Sequence, residues 1–112
     1  METWIWEGGG RLTLRTEEKN GELVAWLAGE LDHHSADAVR AGLDNALSRA
    51  KAKRLVLDMS AMTFMDSSGI GVVLGRYKKM KERGGSVAVR GLSQKMDRIL
   101  RLAGLYSVVE RE

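Results

Sequence analysis

The chain has 112 residues, 44% hydrophobic and 29% charged, the balance of one globular domain and not that of a chain disordered along its length. With no cysteine, it can hold no disulfide, thiolate metal site or cysteine nucleophile. No apolar run approaches the ~20 residues that cross a bilayer, and the opening METWIWEGGG has no basic region before its apolar residues, so it does not read as a secretory signal. A soluble, cytoplasmic-type domain with no membrane role is expected. The net charge of +3 is unevenly spread: residues 1–50 hold five basic and nine acidic side chains, and 51–112 hold thirteen and six. The basic excess reads as the solvent face of a lysine-rich helix and not as a nucleic-acid surface.

Trp4–Trp6 is short and apolar, and Gly8-Gly9-Gly10 breaks the chain after it, so residues 1–10 read as an appendage, at most a stray edge strand. From Arg11 the pattern alternates, with Leu12 and Leu14 against Arg11, Thr13 and Arg15, as in a half-buried strand. Asn20-Gly21 is the signal of a tight hairpin. The return strand Glu22–Ala28 is apolar on both sides and therefore reads as central. After Ser35, a candidate N-cap, Ala36, Val39, Leu43, Ala46, Leu47 and Ala50 fall at helical spacing.

Arg54–Met59 reads as a short buried strand. A second helix is expected from about Ser68 to Arg83, burying Ile70, Val73, Leu74, Tyr77 and Met80 and turning Arg76, Lys78, Lys79, Lys81 and Arg83 outward. Gly84-Gly85 ends it. Ser86–Arg90 is a third buried strand. The next helix runs from Ser93 to Ala103 with Met96, Ile99, Leu100 and Ala103 inward, and Ser107–Glu110 is a last short strand. A hairpin followed by alternating strands and helices predicts one α/β domain with a mixed, largely parallel sheet.

Unusual residues concentrate in Phe64-Met65-Asp66-Ser67-Ser68-Gly69-Ile70-Gly71, between a buried strand and a helix start. Unpaired backbone N–H groups and the positive end of the helix dipole meet there, and Gly69 and Gly71 leave room for another molecule to approach the backbone. Plain N-capping is one use of such residues, but a single cap suffices, which leaves one serine hydroxyl spare. Nucleophilic catalysis is disfavoured: the serines lie in no G-x-S-x-G elbow, and the only histidines are His33 and His34. There is no phosphate-binding P-loop motif, and no third ligand joins the histidines to make a metal site. The arrangement suits a regulatory phosphorylation site, where a phosphoryl group adds about −1.5 to −2 charges without breaking the helix.

The stretch Leu57-Asp58-Met59 through Phe64-Met65-Asp66-Ser67-Ser68-Gly69-Ile70-Gly71-Val72-Val73-Leu74-Gly75-Arg76-Tyr77 resembles the signature of anti-sigma factor antagonists. More narrowly, it resembles the sporulation stage II protein AA branch of the STAS domain superfamily. Gly29-Glu30-Leu31-Asp32-His33-His34 and Gly104-Leu105 match as well, so the resemblance spans about residues 11–110. It implies a single STAS-like domain over 11–112 and a non-enzymatic switch. The unmodified antagonist binds an anti-sigma factor that is also a serine kinase, and so frees the sigma factor. The kinase uses ATP to phosphorylate the serine directly after the Asp of D-S-S-G, here Ser67, and a PP2C-type phosphatase restores it.

The acidic residue matching Asp32 lies near that serine in the family, which implies a partner surface of Asp32, His33, Asp66, Ser67, Ser68, Gly69 and Ile70, with no cofactor of the domain's own. Two departures stand out. Residues 1–10 have no clear counterpart, and the chain stops after the last strand where many members carry one more helix, so that edge is expected to be open or paired otherwise. Two other functions compete: a STAS subunit of a transporter or stress-signalling assembly, and a nucleotide-binding or hydrolytic enzyme using the Ser67 region.

Overall fold

The computed structural model describes residues 2–6 and 12–112. Six strands form one sheet in the order β1-β2-β3-β4-β5-β6: β1 Glu2–Trp6, β2 Leu12–Lys19, β3 Glu22–Leu31, β4 Arg54–Met65, β5 Ser86–Arg90 and β6 Glu110–Arg111. The β1–β2 and β2–β3 pairs are antiparallel, and β3–β4, β4–β5 and β5–β6 are parallel. The helices are α1 Ala36–Arg49, α2 Ser68–Glu82 and α3 Gln94–Leu102. The mixed α/β architecture agrees with the hydropathy pattern. Within residues 1–10, the backbone of 2–6 is the edge strand β1, in register with Thr13–Glu17. The glycine break at 8–10 and Arg11 lie outside the described residues.

The β2–β3 hairpin turns at Asn20 (φ 55°) and Gly21 (φ 81°), the two left-handed positions that a two-residue turn matched to strand twist requires. Leu12, Leu14 and Thr16 on β2 and Leu23, Ala25 and Leu27 on β3 point into the core. The other side of β3 is only half-buried, with Arg15 lying over the ring of Trp26 at 3.8 Å. β3 is central in the sheet as its composition suggests, but one of its apolar faces is only partly covered.

Several sequence expectations need correction. β4 runs to Met65, six residues past the expected end at Met59, because its second half still pairs with Ala28–Leu31 of β3 through two register shifts. Arg76, expected on the solvent face of α2, is 5% exposed and sits at the α1–α2 contact, its Nε 3.2 Å from Asp44 Oδ1. Arg83 is half-buried and donates to the Leu47 and Ala50 carbonyls at the end of α1. Ala103 is exposed, and of the expected last strand Ser107–Glu110 only Glu110 is extended: Ser107 ends a 3₁₀ turn begun at Leu105, Val108 and Val109 turn after it, and β6 has two residues. Arg54 holds that short strand in place through Glu22, Glu110 and Glu112.

Candidate functional site

β3 and β4 are parallel neighbours that end in register, Leu31 opposite Met65. Their exits therefore lie side by side at the carboxyl ends of parallel strands, the rim where open α/β sheets carry their sites. The Asp66 N–H donates to the Leu31 carbonyl at 3.2 Å, and His33 Nδ1 lies 3.9 Å from Asp66 Oδ2. The extra length of β4 makes this meeting possible: a strand ending at Met59 would leave the Asp66 turn without its neighbour.

At the Ser67 turn, capping falls to the aspartate and not to a serine. Asp66 Oδ1 accepts from the Ser68 N–H at 2.8 Å, and the Asp66 carbonyl accepts from the Gly69 N–H at 3.0 Å. Ser67 is the boundary residue of α2, yet its side chain makes no capping bond, and it is exposed. Ser68 and Ile70 are half-buried, and Phe64, two residues before Asp66, is 41% exposed. Gly69 corrects an expectation. The space that its missing side chain leaves is taken by Met65 of the same chain, whose Sδ would stand 2.4 Å from an added Cβ. The glycine lets β4 and α2 pack closely and does not open the backbone to a visitor.

Asp32 also differs from the exposed carboxylate that partner pairing would use: it is 7% exposed. Its Oδ1 accepts from the N–H groups of His34 at 2.9 Å and Ser35 at 3.0 Å. Ser35 is the boundary residue of α1 as expected, but its side chain makes no capping bond to the helix. Its hydroxyl accepts from the Asp32 N–H at 3.1 Å and donates to the Glu30 carbonyl at 2.9 Å. Burial would push the Asp32 carboxyl up, but the Ser35 and His34 N–H groups outweigh it and hold the carboxyl below the usual carboxylate range. Asp32 therefore shapes the turn that presents His33 and His34, whose side chains are 71% and 67% exposed.

The rim brings together Asp32, His33, Asp66, Ser67, Ser68, Gly69 and Ile70, with Asp32 and Gly69 beneath the surface and the others on or near it. The clefts along α3, between α1 and α2, and beside the β2–β3 hairpin are lined by none of these residues. Among the described residues no group of three or more His, Asp or Glu is placed to hold a metal ion, and no helix is long and apolar enough to cross a membrane. Phe64 is the rim residue to which the sequence pattern assigns no role. It lies beyond the expected end of the strand at Met59, and the irregular end of β4 leaves it exposed.

Known proteins place this geometry in context. The chain is 41% identical over 98 residues to the anti-sigma F factor antagonist of Paenibacillus polymyxa, covering 88% of this chain and 84% of that protein. It is 27% identical over 99 residues to the anti-sigma-B factor antagonist of Bacillus subtilis, covering 88% and 89%. Among solved structures it resembles the anti-sigma factor antagonist SpoIIAA in its unphosphorylated form, with a TM-score of 0.76 and 27% identity over 88% of this chain and 87% of that one. The phosphorylated form of the Bacillus cell fate determinant SpoIIAA matches with a TM-score of 0.69 and 28% identity over 88% and 90%. With the STAS domain family model matching residues 13–111, nearly everything from β2 to β6, the chain belongs to the STAS domain family.

Proposed function

We infer that this chain is an anti-sigma factor antagonist: it binds an anti-sigma factor through the rim around Ser67, frees the sigma factor, and is switched off when Ser67 is phosphorylated. The observation that carries the switch is the division of labour at the start of α2. Asp66 caps the helix, so the exposed Ser67 hydroxyl has no structural duty that modification would disturb. The partner surface is formed by His33, Asp66, Ser67, Ser68, Ile70 and Phe64, and Asp32 and Gly69 hold it from beneath. The partner is a serine kinase that uses ATP, and a PP2C-type phosphatase reverses the modification in the cytoplasm. Identities of 41% and 32% to anti-sigma F antagonists, against 27–28% to anti-sigma-B antagonists, support the sporulation branch over the stress branch.

A dianion brought into a desolvated contact beside acidic groups meets like charge, which costs several kcal/mol across an interface. A loss of ~3 kcal/mol weakens binding about a hundredfold. Incubation with the host's anti-sigma kinase and ATP, followed by intact mass and site mapping, tests the reading. Ser67→Ala is expected to bind the kinase yet take no phosphate, and Ser67→Asp to bind poorly with normal circular dichroism. Ser68→Ala is expected to be phosphorylated still. Phosphate mapped to Ser68, or a phosphoprotein that binds as tightly as the unmodified one, overturns the assignment.

A further inference from the structure

Two basic side chains approach the first turn of α2 from different elements. His33 reaches it from the β3–α1 turn, with Nδ1 3.9 Å from Asp66 Oδ2 and its ring against His34 at a centroid distance of 3.9 Å. Because the His33 side chain is 71% exposed, little packing resists its rotation. Arg40 arrives from α1, its Nη2 3.4 Å from the point where a Cβ on Gly71 would stand. Gly71 lies four residues after Ser67, one turn along the same helix face, and helical side chains lean toward the N-terminus. The bare Gly71 position thus lays the guanidinium along the strip that leads to Ser67.

The present partner of Arg40 is Asp37, with Nη1 2.8 Å from Oδ1, and the Asp37 side chain is 95% exposed. Such a surface pair is weak and readily exchanged for a dianion that accepts charge-assisted, bidentate hydrogen bonds.

Resting on the reading of Ser67 as the phosphoacceptor, we propose that His33 and Arg40 form a two-sided clamp for the phosphoryl group on Ser67. In the free phosphoprotein the dianion exchanges with Asp37 for Arg40 and draws the His33 ring toward it, where a ring N–H donates to a phosphate oxygen. The other titratable or charged groups around this space are Asp66 beside the serine, Asp32 and His34 in the β3–α1 turn, Asp37 on α1, and Arg76 on α2, which repels Arg40 as a like charge. The first turn of α2 adds no acid of its own. The carboxylates of Asp66 and Asp32 repel the dianion, and the clamp offsets them, so the modified turn stays folded against its own chain.

The phosphate's second ionisation reads this directly, because nearby cations favour the dianion and lower its pKa from the value of about 6 found in exposed phosphoserine. Phosphoserine is installed at position 67 by genetic encoding, so that the result does not depend on whether the kinase accepts the site, and the phosphate is titrated by ³¹P NMR. Relative to a phosphopeptide spanning residues 64–70, the folded protein is expected to titrate about half a unit to one unit lower. His33→Gln and Arg40→Gln are each expected to recover part of that shift, and the double variant all of it, with unchanged circular dichroism. Titration of the folded protein at the peptide's value, or a shift that only one of the two substitutions affects, overturns the clamp. Failure of the kinase to modify Ser67 counts against the switch alone.

Discussion

Gly69→Ala tests how closely β4 and α2 are fitted beneath the rim. An alanine at this position would gain up to about 1 kcal/mol of helix propensity. Its Cβ, however, would stand 2.4 Å from Met65 Sδ and 2.5 Å from Met65 Cγ, with Leu31 Cδ2 already at 3.4 Å. Contacts between such atoms settle near 3.5–4.0 Å, so Met65 has to move by about 1 Å or more. Met65 is 3% exposed and Leu31 fully buried, and overpacking of this kind costs about 1–3 kcal/mol.

The clash outweighs the propensity, and a net loss of about 1–2 kcal/mol follows. In urea that is a midpoint lower by roughly 1 M at an m-value of about 1–1.5 kcal/mol/M. Gly75→Ala is the control in the same helix, where an added Cβ meets nothing within 4 Å. It is expected to raise the midpoint or leave it unchanged. Gly71→Ala, 3.4 Å from the movable end of Arg40, is expected to fall between them. A Gly69→Ala midpoint equal to or above that of Gly75→Ala would refute the packing argument.

Asp32→Ala removes the acceptor of the His34 and Ser35 N–H groups, so it should lower the urea midpoint and slow phosphorylation of Ser67 together; an unchanged midpoint would return Asp32 to the role of a surface contact. Burial and the hydrogen bond to Asp97 push the Tyr106 hydroxyl up to about 12. The folded pKa lies above the ordinary value near 10, so this contribution is complete below pH ~10 and is lost as pH rises toward 12. Urea midpoints between pH 9 and 11.5 should therefore fall less steeply in Tyr106→Phe. Asp44→Ala leaves the Arg76 guanidinium, 5% exposed, without its carboxylate and should cost about 1–3 kcal/mol, discounted for the partial exposure of Asp44. Adding Arg76→Met should restore most of that loss, and a double variant no more stable than Asp44→Ala would show that the pair matters by shape and not by charge.

The physics of the local signals explains where the sequence was legible. Asn20-Gly21 fixes its hairpin because both residues tolerate positive φ, and alternation along β2 names Leu12 and Leu14 as inward by geometry alone. The extension of β4 was hidden because Ser60–Met65 pairs through register shifts with β3, and a bulge breaks the alternation by which a strand is read. Arg76 deceives for a related reason. A charged residue on a helix with three exposed cationic neighbours, Lys78, Lys79 and Lys81, reads as solvent-facing, and only the approach of Asp44 from α1 shows why it is inside. At the rim, the chain order D-S-S-G marked the turn, but it could not say which group caps the helix. That depended on Asp66 reaching the Ser68 N–H.

The capping arrangement bears on what kind of switch this turn can be. A modification that removed a cap would act by fraying α2, at a cost of about 1 kcal/mol, too little to abolish tight binding. Here Asp66 Oδ1 on the Ser68 N–H, the Asp66 N–H on the Leu31 carbonyl, and Met65 packed against Gly69 hold the turn without using Ser67. Whatever is added to the Ser67 hydroxyl therefore changes charge and volume at the surface, while the scaffold below keeps its geometry. A response that large must come from the interface itself, where desolvation magnifies like-charge repulsion, and not from refolding of the domain. The same scaffold explains why Asp32 sits beside the site without being on its surface: its carboxylate orders the turn carrying His33, and His33 is the group that meets the Asp66 side of the Ser67 turn.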